Sequence, residues 1–171
     1  MRKLLSFPDP VNDVAARAVA VGVVVMSAIA VALPEPWLLP VIAYGFWARA
    51  LTGPKLSPLG LLATRVVAPR LGPARPYPGP PKRFAQGMGT AFSTASLLLW
   101  FAFGEHLASR AVLGLIVAAA SLEGFAGYCI GCRVFNLLMR VGLIPESVCQ
   151  VCADLSRRHP ELAAAGPAGE R

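Results

Sequence analysis

The chain holds four cysteines in its 171 residues, and they form two Cys-x-x-Cys pairs, Cys129-Ile130-Gly131-Cys132 and Cys149-Gln150-Val151-Cys152. The sixteen residues from Arg133 to Val148 separate them. Thiols at this spacing support two kinds of chemistry. As dithiols they exchange electrons or carry a persulfide: an attacking thiolate passes through a mixed disulfide, and the second cysteine of the pair resolves it. As thiolates they hold a cation, and the spacing falls in the window of a four-thiolate zinc site. A closed tetrahedral zinc would be structural, clamping the end of the chain to the rest. A third reading is the handling of a soft cation such as Cu(I) or Hg(II), for which sulfur is the right donor. Against it, Met26, Met88 and Met139 are scattered and form no ladder. The residues alone leave these readings open, and Zn is the one cofactor the spacing suggests.

Several neighbours are placed to tune the sulfurs. If one helix runs on through Leu138, then Cys129, Cys132, Arg133 and Asn136 share a face, since residues three, four and seven apart align. Arg133 would favour the Cys129 thiolate, and Asn136 would hydrogen-bond a sulfur. Pro145-Glu146-Ser147 reads as a helix start, which sets Cys149 near a helix N-terminus. Gly142 and Pro145 turn the chain back, so the two pairs can meet. Glu123 lies inside an apolar run, where a carboxylate is expensive. It is either a proton carrier, the partner of a cation such as Arg49, or half of a structural ion pair. Gly124, Gly127 and Gly131 read as a small-residue stripe for helix packing. His106 is too far from the thiols to ligate with them.

The elements that position these groups follow from composition. With 56% hydrophobic residues, 15% charged residues and a mean hydropathy of +0.59, the chain is too apolar for a water-soluble domain. The expectation is an all-α integral membrane four-helix bundle, with spans at about 14–33, 37–51, 88–104 and 111–132. Asn12 and Asp13 would cap the first span, and Arg17 would snorkel to the headgroups. In the loop 52–87, Leu56 to Leu71 reads as a surface helix bounded by Pro58 and Pro69, and Gly72 to Pro81 as a stiff extended linker. The cysteine motif takes 129–152, and 153–171 forms a flexible tail after a short helix from Asp154 to His159. A retained first span is favoured over a signal peptide, because the run is too long for an h-region.

Charge sets the orientation. Arg49, Lys55, Arg65, Arg70, Arg75, Lys82 and Arg83 crowd one loop, whereas the two short turns offer only Arg110. Positive loops stay inside, so both termini, with Arg2, Lys3, Arg133, Arg140, Arg157 and Arg158, are expected on the cytoplasmic face of the cell inner membrane. There a lasting structural disulfide is disfavoured. The net charge of +7 then reflects topology and anionic lipid. Nucleic acid is not an expected partner.

The stretches Leu122-Glu123-Gly124-Phe125-Ala126-Gly127-Tyr128-Cys129-Ile130-Gly131-Cys132 and Gly142-Leu143-Ile144-Pro145-Glu146-Ser147-Val148-Cys149-Gln150-Val151-Cys152 resemble the ending of a bacterial four-pass membrane family of unassigned function. Phe7 to Asn12, Gly53 to Leu59 and Pro81 to Ala85 are similar to it too. The resemblance implies a thioredoxin-like or sulfurtransferase-like partner, because members keep company with such proteins, and it supplies no catalytic residues. Quinone-linked disulfide-forming membrane enzymes place their cysteine pairs on the outer side, and this chain departs from that pattern. Thiol-disulfide or persulfide exchange at the cytoplasmic face is the resulting expectation, with Cys129, Cys132, Cys149 and Cys152 as the reacting or metal-binding groups.

Overall fold

The computed structural model describes residues 7–33, 36–149 and 152. The expected turn at Pro34 and Glu35, the basic residues Arg2, Lys3, Arg157 and Arg158, the helix from Asp154 to His159 and the tail to Arg171 lie outside the described residues.

Helix α1 spans Asp13–Ala32 and is capped by Asn12, whose Oδ1 accepts the Val14 N–H at 3.1 Å. The same oxygen accepts the Arg75 N–H at 3.3 Å, so one side chain starts the helix and ties down the distant loop. A two-residue strand β1, Val11–Asn12, pairs antiparallel with β2, Pro76–Tyr77. Helix α2, Leu38–Thr52, carries Pro40 in its first turn, where a missing N–H costs nothing. Both helices start within one residue of the positions read from sequence.

The loop after α2 is helical where the sequence places a helix. Helix α3, Pro58–Leu62, runs through a π-helical turn, Ala63–Val67, into α4, Ala68–Leu71. Pro69 does not bound it, because the widened turn just before the proline absorbs the clash its ring would make with the preceding turn.

Three expectations are corrected. The proline-rich segment is not simply an extended linker. It forms β2 and then the first turn of α5, Gly79–Phe101, where Pro80 and Pro81 occupy positions whose N–H groups a helix leaves unpaired anyway. The third long helix therefore begins well before Met88. The last apolar run does not continue as one helix through Cys132. Helix α6, His106–Ala126, stops at Gly127, whose left-handed φ of 69° closes it, with the Tyr128 N–H returning to the Leu122 carbonyl at 2.9 Å. A separate helix α7, Ile130–Arg140, follows.

Helix α1 packs on α6, α6 on α5, α5 on α2, and α2 on α1, which closes a ring of four long helices of alternating direction. Val19, Val23, Ile42, Phe46, Leu113 and Ile116 form its apolar core. Polar residues share that interior: Ser27, Thr52, Ser93, Ser96 and Ser109 are buried. The Ser96 and Ser109 hydroxyls meet at 2.9 Å, and the Ser109 hydroxyl also donates to the Ser96 carbonyl at 2.8 Å, cross-linking α5 to α6. Large apolar side chains point outward instead, among them Val25, Trp47, Phe101, Leu115 and Leu122. Helices α1 and α6 are long and apolar enough to cross a membrane.

Candidate functional site

The alternating directions bring the start of α1, the end of α2, the start of α5 and the end of α6 to one end of the bundle. The first cysteine pair is there. Because α6 ends at Gly127, Cys129 becomes the N-cap of α7, and its Sγ accepts the Cys132 N–H at 3.3 Å. Its carbonyl accepts the Arg133 N–H at 3.1 Å. Cys129 and Cys132 are joined as a disulfide. The pair is asymmetric: Cys129 is half-buried, whereas Cys132 is only 2% exposed.

Tight packing of α7 on α5 fixes that asymmetry. A Cβ on Gly131 would stand 2.6 Å from the Cα and Cβ of Ala85, so only glycine permits this approach. One turn further on, the buried Phe135 ring meets Phe84 at 5.7 Å between centroids. Arg133 lies over the Tyr128 ring at 5.0 Å. Asn136 is half-buried one turn beyond Cys132. The shared-face reading thus gives way to an N-cap geometry.

The second pair, Cys149 and Cys152, is likewise closed as its own disulfide, and the Cys149 Sγ accepts the Cys152 N–H at 3.3 Å. Cys149 is buried and follows a single 3-10 turn, Glu146–Val148. The structure therefore brings each cysteine to its own motif partner. Among the described residues, no group of three or more His, Cys, Asp or Glu side chains stands where it could hold a metal ion.

Glu123 has a partner, and it is not Arg49. Its Oε1 accepts from the Lys82 Nζ at 2.7 Å, and the same ammonium meets the Asp13 Oδ1 at 3.0 Å. Lys82 is buried, with the Tyr77 ring 5.1 Å from its Nζ. Burial raises the Tyr77 phenol above its ordinary pKa, partly offset by the Lys82 charge. Arg49 bonds neutral groups: its Nε donates to the Gln86 Oε1 at 2.9 Å and its Nη1 to the Ser57 Oγ at 3.2 Å. Arg17 does not reach outward as expected. It donates to the carbonyls of Gly124 and Phe125 at 3.4 and 3.1 Å, neutralising the carbonyl end of α6 next to Cys129. Gly124 also gives α1 close access at Val21, so the glycine stripe serves packing, divided between two helices.

Sequence reasoning missed Lys82 and Asp13 as a buried pair, having counted one as a loop charge and the other as a cap. The available signal was a lysine and a glutamine one turn apart, Lys82 and Gln86, just after a Pro-Pro helix start. His106 opens α6 with its ring tilted against Trp100, 4.2 Å between centroids, at the end of the bundle opposite the first cysteine pair.

Fold and site together define an all-α helical bundle with a disulfide at the start of a short docked helix. A family model for a domain of unknown function, DUF4395, matches residues 11–140, and the chain belongs to that family. The match takes in Cys129 and Cys132 and ends before Cys149. No curated protein and no solved structure matches the chain.

Proposed function

We propose that the chain is a four-span membrane dithiol protein that exchanges electrons or sulfur through Cys129 and Cys132 with a thioredoxin-like or sulfurtransferase-like partner. The observation that carries the reading is Cys129 at the N-cap of α7, half-exposed, with its sulfur on a backbone N–H and bonded to a buried Cys132. A helix N-terminus favours the thiolate, so a sulfur there leaves and attacks readily. In the electron-exchange form a partner thiolate attacks Cys129 Sγ, the Cys129–Cys132 bond breaks, and Cys132 leaves as a thiolate. A second partner thiol then attacks the mixed disulfide, leaving the partner oxidised and both cysteines reduced, with two electrons moved. The same steps run in reverse from the reduced pair. In the sulfur form the reduced Cys129 thiolate takes the sulfane sulfur of a partner persulfide, and the partner leaves as a thiol.

The exterior supports the membrane reading. All four long helices expose large apolar side chains, and buried serines share the interior with the apolar core, which suits a bundle surrounded by lipid. The cysteine end carries Arg49, Lys55, Arg65, Arg70, Arg75, Lys82 and Arg83, and the opposite end Glu105, His106 and Arg110. That asymmetry supports a cytoplasmic cysteine end. Helix α7 exposes Leu137 beside the basic Arg140, which suits a helix lying in the interface.

Trapping tests the proposal. Cys132→Ser should accumulate a mixed disulfide with a partner through Cys129, and Cys129→Ser should not, while both still insert in the membrane. Equal trapping by the two variants would remove the idea. Metal analysis of freshly reduced protein alongside thiol counting separates the alternative: about one zinc per chain, lost with stability in chelator, would favour the four-thiolate clamp.

A further inference from the structure

Between the start of α1, the turn after α2 and the surface helix lies a cavity of about 190 Å³. A cavity of about 150 Å³ lined by apolar side chains is enough to hold a benzene ring. Here the walls include Ala16, Val19 and Pro54, while Arg49, Lys82 and Gln86 bring polar groups to the lining. Lys82 is already held by two carboxylates, at 2.7 and 3.0 Å. Arg49 is not. Only 4% exposed, it contacts neutral partners, the Gln86 and Ser57 oxygens, with the Phe46 ring 4.7 Å away, and the Glu123 charge acts on it only from beyond contact distance. Among the described residues no carboxylate lies within 4.0 Å of it, and its Nη2 makes no hydrogen bond.

A buried cation without a contacting anion is costly, and a guanidinium edge donates two parallel bonds to a planar carboxylate. We infer that this cavity binds a small amphipathic carboxylate, its apolar body against Ala16, Val19 and Pro54 and its oxygens on Arg49. The other polar atoms nearby do not compete for it: the Asn12 Oδ1 accepts two backbone N–H groups, and the Thr64 hydroxyl donates to the Gly60 carbonyl at 2.8 Å. Such an acid could come from solution or from the membrane as a free fatty acid, and chain length distinguishes the two.

The full chain in detergent micelles is titrated calorimetrically with benzoate, with dodecanoate and with benzyl alcohol. Saturable binding of one carboxylate per chain is expected, at least tenfold tighter than benzyl alcohol. Tighter benzoate identifies a soluble acid as the source, and tighter dodecanoate a membrane acid. Arg49→Gln should weaken binding at least tenfold. Ala16→Leu, which fills the cavity and leaves the guanidinium untouched, should abolish it while melting like the wild type, which keeps the test valid if the arginine variant misfolds. Absence of saturable carboxylate binding, equal affinity for benzyl alcohol, or unchanged binding by Ala16→Leu would overturn the inference.

Discussion

Replacing Lys82 with methionine probes the joint that holds the cysteine end together. The ammonium is the shared counter-ion of Asp13 on α1 and Glu123 on α6, at 3.0 and 2.7 Å, and its side chain is 6% exposed. Methionine keeps most of the stem's volume and removes the charge, leaving two largely buried carboxylates facing an apolar group. Breaking a buried ion pair by removing one partner costs about 3–5 kcal/mol. The two carboxylate side chains are each 15% exposed, so some water reaches them and the lower end, about 3 kcal/mol, is expected. That is roughly a hundredfold shift toward the unfolded state. The assay is unfolding in mixed micelles by added denaturing detergent, followed through the fluorescence of the three tryptophans. The charge argument makes a second demand: Lys82→Met combined with Asp13→Asn and Glu123→Gln should recover to within about 1 kcal/mol of wild type, because neither carboxylate is then left facing an apolar group. A Lys82→Met protein as stable as wild type, or a triple variant no better than the single one, would refute the reasoning.

Other outcomes follow from the same geometry. Gly131→Ala pushes a Cβ to 2.6 Å from Ala85, so α7 should lift off α5 at a cost of about 1–3 kcal/mol. After reduction, Cys132 should then react faster with a maleimide than in the wild type, and an unchanged rate would count against the docked helix. Ser96→Ala leaves the Ser109 hydroxyl without its side-chain partner and should cost about 1 kcal/mol. Adding Ser109→Ala should cost little more, and a double-mutant cycle in micelles reads the coupling.

Much of the scaffold was legible as pattern. A run of Val and Ala long enough to cover about 30 Å marks the helix at Asp13–Ala32, and a shorter apolar run marks the one at Leu38–Thr52, while Asn12 marks where the first begins. The stretch with Arg65 and Arg70 was legible as helix from the spacing of Leu59, Leu62, Val66 and Val67. The proline-rich segment misled, because Pro80 and Pro81 are as much at home in the first turn of a helix as in an extended linker, and local composition does not distinguish the two.

The sequence by itself determined the chemistry: four cysteines in two pairs, a membrane-like composition, and basic residues crowded toward one end. Tertiary structure alone decided how that chemistry is presented. Gly127 ends α6 three residues before Ile130, so Cys129 caps a new helix instead of sitting inside an old one. Which charges pair was also beyond the sequence, because Asp13, Lys82 and Glu123 come from three helices and meet only once the bundle closes. Periodicity is a property of one element at a time, whereas a buried charge takes its partner from whatever its neighbours bring within reach.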